Sequence, residues 1–105
     1  MIIKNEALLD YFRSKTRCEY CGRRVKSCQP HHIFCRGLGG GSRLDVMINL
    51  IGLCGPFGCH TKFHNGDIPR EELLAIVAKR EKTTVDDIET EIWKLLGDSR
   101  DTNSQ

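Results

Sequence analysis

A chain of 105 residues, 39% hydrophobic and 29% charged, has room for one domain with a modest core, of the kind that often needs a covalent or metal staple. Its net charge is only +2, but residues 1–66 hold ten Lys and Arg against four Asp and Glu, whereas residues 67–105 hold six against ten. The longest apolar run, Leu73-Leu74-Ala75-Ile76-Val77-Ala78, is far too short to cross a bilayer, and Met1-Ile2-Ile3-Lys4-Asn5-Glu6 lacks the apolar stretch of a signal peptide. The expectation is a cytoplasmic protein without a membrane partner, whose six cysteines stay reduced and available to metal.

The first predicted element is a short helix within residues 5–16, since Ala7, Leu8, Tyr11 and Phe12 recur at helical spacing. It delivers the chain to a core over residues 18–66 that is rich in Cys, Gly and His, with strand-like stretches near Pro30–Cys35 and Ile48–Leu53. His31 and His32 are expected to open the first of these strands after Pro30, with alternation pointing their side chains apart. Two helices follow within residues 67–97. Pro69 and two acidic residues start the first, which runs to about Glu81; Thr84 caps the second, and Gly97 ends it. Residues 98–105 are polar enough to be disordered.

Cys18-x2-Cys21 and Cys54-x4-Cys59 are two close pairs about thirty residues apart, a spacing that suits a tetrahedral zinc site built from four thiolates. Gly22, Gly55 and Gly58 let the backbone turn around such a site without Cβ clashes. Cys28 and Cys35 are left over, with a structural role as their default. His60 and His64 are four apart on the segment after Cys59, so on a helix they share a face and can share one ion, while Cys59 lies about 100° around from His60. An alternative is that His60 or His64 completes the cysteine site. An imidazole, which titrates near pH ~6.5 in water, is suited to taking a proton from water at cellular pH, so one of the paired histidines could be a general base.

Taken together, Cys18-x2-Cys21, His31-His32-Ile33, the glycine-rich stretch from Arg36 to Arg43, Asp45 four residues before Asn49-Leu50, and the cysteine pair leading into His60 and His64 resemble the HNH endonucleases. The match covers nearly half of the chain. The resemblance implies an α+β fold with a ββα-metal core, stapled by zinc on Cys18, Cys21, Cys54 and Cys59 and flanked by the N-terminal and two C-terminal helices. It implies that His31, His60 and His64 hold a catalytic divalent ion and that His32 is the general base. Asn49 would hold the base-bearing segment by hydrogen bonds across the strands, and Arg36 would contact a phosphate near the scissile bond. Many members carry aspartate where His31 stands; the neutral histidine favours zinc, nickel or manganese over magnesium.

The implied activity is hydrolysis of DNA, expected to be double-stranded, to 5′-phosphate and 3′-hydroxyl ends. Arg36, Arg43 and Lys62 are the candidate DNA contacts on the basic part of the chain. A homodimer, or docking to a larger phage packaging or restriction assembly through the apolar faces of the C-terminal helices, is a further expectation. The rival reading is a zinc-dependent nucleic-acid-binding module that keeps this scaffold without cleaving.

Overall fold

The computed structural model describes residues 2–34, 43–55 and 58–103, with the backbone alone for residues 2 and 96–103. Among these residues the chain is a small α+β arrangement of four helices and two short two-stranded sheets. It begins with β1 (Ile2–Ile3) and α1 (Glu6–Arg13). Asn5 starts α1 because its side chain accepts the Leu8 N–H at 3.0 Å, one of the donors that a first helical turn leaves unpaired. Glu6 and Arg13 lie at the helix ends that favour their charges. The helix buries Leu9 and Phe12 against Leu50.

Next come β2 (Gln29–His32), β3 (Arg43–Leu44), a 3₁₀ turn at Met47–Asn49 and β4 (Leu50–Leu53). Strands β2 and β4 are antiparallel, pairing His31 with Ile51 and His32 with Leu50. A two-stranded sheet has two edges, so Pro30 can sit in β2 with its missing N–H on the unpaired side. The paired histidines therefore close the strand instead of opening it. The first predicted strand is shorter than expected at its C-terminal end, and the second gives its first two residues to the 3₁₀ turn. Cys35, the glycine-rich stretch and Arg36 lie outside the described residues.

Helix α2 (Cys59–His64) follows, then α3 (Arg70–Glu81) and α4 (Val85–Asn103). Pro69 is the N-cap of α3, Glu71 and Glu72 occupy its first turn, and Lys82 stops it in a left-handed conformation at φ 59°. Thr84 accepts the Asp87 N–H at 3.1 Å, as expected of an N-cap. The predicted stop at Gly97 is corrected: α4 passes through it to Asn103, taking in most of the segment expected to be disordered. Glycine within a helix costs only about 1 kcal/mol relative to alanine. It ends a helix when the next backbone turn goes left-handed, and here it does not.

The main core places Leu73, Leu74 and Val77 of α3 and Ile88 and Ile92 of α4 against Ile33, Leu44, Ile51 and Leu53. The two C-terminal helices thus cover the segment that carries the histidines. Arg80 joins the layers: its guanidinium donates to Glu19 Oε1 at 2.7 Å and to the carbonyls of Met47 at 2.6 Å and Leu50 at 3.1 Å. Glu19 in turn accepts the Gly52 N–H at 2.6 Å. The other sheet, in which β1 runs parallel to β3, was not expected from the sequence.

Candidate functional site

The four cysteines of the two close pairs come together, with all four sulfurs within 4.8 Å of one another. Cys18, Cys54 and Cys59 are buried, and Cys21 is exposed. Cys21 Sγ lies 3.8 Å from Cys54 Sγ, and the edge of a tetrahedron with Zn–S bonds of about 2.3 Å is itself about 3.8 Å. The Cys21 N–H points at Cys18 Sγ (3.4 Å) and the Cys59 N–H at Cys54 Sγ (3.3 Å), donors that stabilise negative sulfur. Burial opposes ionisation of Cys18, but the backbone N–H groups around it bring its thiol down to about 7. Cys59 is pushed up, by burial first and then by the neighbouring thiols. Four thiolates in so small a space would need a cation among them, and the donor set fits a structural metal ion. Gly58 shows how closely the loop is wrapped, since a Cβ built there would lie 2.5 Å from Cys54 Sγ.

Cys28 takes no part in this cluster. Its buried Sγ donates to the Arg17 carbonyl at 3.2 Å, in keeping with a structural role.

A second cluster forms where β2 meets α2. His31, on the buried side of β2, directs its ring between those of His60 and His64, with ring centroids 5.1 Å apart in both cases. Its Nε2 is buried and lacks a hydrogen-bond partner. One nitrogen from each of the three histidines falls within 4.8 Å of the others. His60 Nε2 and His64 Nε2 are 3.3 Å apart, close to the separation of about 3.3 Å for two nitrogens on a tetrahedral ion with Zn–N bonds of about 2.0–2.1 Å. Burial, followed by the neighbouring His60 and His64, brings His31 down to about 4, and burial and His64 lower His60 as well. These imidazoles therefore favour the neutral form that ligates metals. Phe63 closes one side, its ring 4.6 Å from that of His31. The alternative in which His60 or His64 completes the cysteine cluster is not the arrangement seen, because these residues group with His31 and Cys59 groups with the other cysteines.

No family model, curated protein or solved structure matches this chain.

His32 turns to the opposite side of β2. Its Nε2 is 2.7 Å from Asp45 Oδ1, and its side chain is 24% exposed while that of Asp45 is fully buried. Asn49, fully buried, accepts the Phe34 N–H at 2.8 Å and donates to the carbonyls of Phe34 and Leu44 at 3.0 Å each. These bonds bind the segment after His32 to the strand before the 3₁₀ turn. Arg43 is engaged with Asp45 (Nη2 to Oδ2, 2.8 Å) and Glu6 (3.1 Å), so its charge is largely answered within the protein. Lys62 is exposed on α2 and makes no ion pair among the described residues. The partner of His32 is the feature that the sequence reading left without a role. Arg43 and Asp45 two apart in an extended segment share one side, and that was the available signal.

Proposed function

We propose that the chain is a metal-dependent HNH-type endonuclease that hydrolyses DNA, with β2, β4 and α2 as its ββα-metal core and zinc on the four cysteines. The observation that carries this reading is the buried, unpartnered Nε2 of His31 beside the His60 and His64 nitrogens. A buried polar atom without a partner costs about 1–3 kcal/mol, a cost that a ligand at that position removes. Three protein nitrogens leave further coordination positions for substrate or water, which four thiolates do not.

His31, His60 and His64 would hold the ion; magnesium, manganese, nickel and zinc are the candidates, and three neutral nitrogens favour the last three. When bound, the ion supplies positive charge to the scissile phosphate and its leaving oxygen. The chain's own residues supply the rest. His32, partly exposed on the other side of the strand, takes a proton from water as the water oxygen bonds to phosphorus. The bond from phosphorus to the 3′ oxygen breaks, that oxygen takes a proton from a solvent water, His32 returns its own to solvent, and the 5′-phosphate stays on the other strand end. Asn49 keeps the segment after His32 in register. Lys62 contacts backbone phosphate, as does Arg36, while double-stranded DNA lies along the basic part of the chain.

The test is nicking of supercoiled plasmid by purified protein with manganese, magnesium, nickel, zinc or EDTA. Cleavage is expected with at least one transition ion, to disappear in EDTA, and to be lost in His32→Ala and His64→Ala. Cleavage that survives His32→Ala overturns the base. DNA binding without cleavage under every ion favours the binding-module reading.

A further inference from the structure

Among the described residues Asp45 has the one buried carboxylate, and Arg43 and the Asn5 N–H donate to it while His32 Nε2 lies against it. Oδ1 meets His32 Nε2 at 2.7 Å and Arg43 Nε at 3.0 Å. Oδ2 meets the Asn5 N–H at 2.7 Å and Arg43 Nη2 at 2.8 Å. Glu6 holds the far side of the same guanidinium. Three of these residues, Asn5, Glu6 and Arg43, lie in or beside the β1–β3 pairing and the start of α1. They belong to neither cluster that could hold a metal.

Burial by itself would raise the Asp45 carboxyl, yet Arg43, the Asn5 N–H and His32 hold it well below the usual carboxylate range. An ionised carboxylate has only acceptors to offer. A neutral His32 must therefore place its proton on Nε2, and the lone pair is left on Nδ1. This is how a buried carboxylate fixes the tautomer and ring orientation of a catalytic histidine in hydrolases generally. We infer that Asp45 is the positioning residue for His32, holding Nε2–H so that Nδ1 is the atom that takes the proton from water. The inference rests on the nuclease reading above.

Asp45→Asn keeps the shape and replaces one acceptor oxygen with a donor. Two measurements decide. The first is the tautomer of neutral His32, read from two-bond ¹⁵N–¹H correlations along a pH series and assigned by the signal missing in His32→Gln. The wild type is expected to carry the proton on Nε2 and Asp45→Asn to shift it toward Nδ1. The second is single-turnover nicking. Asp45→Asn is expected to lose on the order of 10²–10⁴-fold in rate, the usual worth of a general base, with DNA affinity and the number of bound ions unchanged. A purely structural role would lower thermal stability and leave the tautomer where it was.

A wild-type His32 protonated on Nδ1 overturns the inference even if Asp45→Asn does not fold. So does a variant that cuts as fast as the wild type, and in that case the nuclease reading still stands. A wild type inert with every ion removes the nuclease reading and this inference with it.

Discussion

His31 is at once the most buried of the histidines and the one whose ring nitrogen has no partner, so it should dominate the acid response of the ion-free histidine cluster. An imidazole that titrates near ~6.5 in the unfolded chain and at about 4 in the folded one is protonated first in the unfolded state. Stability is therefore full above about pH 6.5 and falls as pH drops toward 4, by about 3 kcal/mol across the window. Urea unfolding at about pH 7.5 and about pH 5 without added divalent ion should show about 2 kcal/mol of this loss. The loss should be smaller in His31→Phe, which keeps the ring packing and removes the titrating group. Asn49 makes a different kind of contribution. Asn49→Ala leaves the Phe34 N–H and the Phe34 and Leu44 carbonyls without their partner, and a cost of about 2–4 kcal/mol in urea unfolding is expected. The pairing of His60 with His64 was legible from a spacing of four, because helical geometry is local. The Asp45 contact was not, because it depends on where residues 2–6 run.

Among the elements, helices α3 and α4 could be read from their caps and apolar periodicity, and the Thr84 cap is present as read. The two-residue strands β1 and β3 have no periodicity to reveal, and the 3₁₀ turn before β4 is held from outside by Arg80, which donates to the Met47 and Leu50 carbonyls. The end of α4 was misjudged because a glycine stops a helix through the backbone conformation that follows it, which composition does not disclose. Arg80→Ala should cost about 3 kcal/mol, since it strands Glu19 at an interior contact and frees two carbonyls, and chemical unfolding will measure it. The loop into α2 is tested by Gly58→Ala. The added methyl must displace Cys54 Sγ or its backbone, so metal affinity at the cysteines should fall on the order of 10–100-fold in chelator competition, the usual scale for a disturbed metal surround.

At the scale of the molecule, the two clusters are adjacent in sequence at Cys59 and His60 but should not be equal in rank. An ion on the cysteines would fix the first residue of α2, and His60 and His64 follow along that six-residue helix. Elemental analysis should find two transition ions per wild-type chain. His64→Ala should retain one, whereas Cys54→Ser should retain neither and should melt at lower temperature, because metal binding here is also folding energy. The cysteine grouping was legible from spacing, since paired ligands announce themselves in order along the chain. The way α3 and α4 cover the histidine segment was not, because an apolar face does not name its partner.

The parallel pairing of β1 with β3 has a kinetic consequence. Residues 2 and 3 must find residues 43 and 44, a closure over about forty residues that costs about 3 kcal/mol of chain entropy before a two-residue strand returns anything. The cysteine and histidine groupings, between Cys18 and His64, need closures of similar length but not this one. The support beneath His32 does, through Asn5 and Arg43. Only a two-residue strand holds that closure once it is made, so the Asn5 and Asp45 amides should exchange with solvent earlier than those of β4. The surround of His32 would then be the first part of the fold to open.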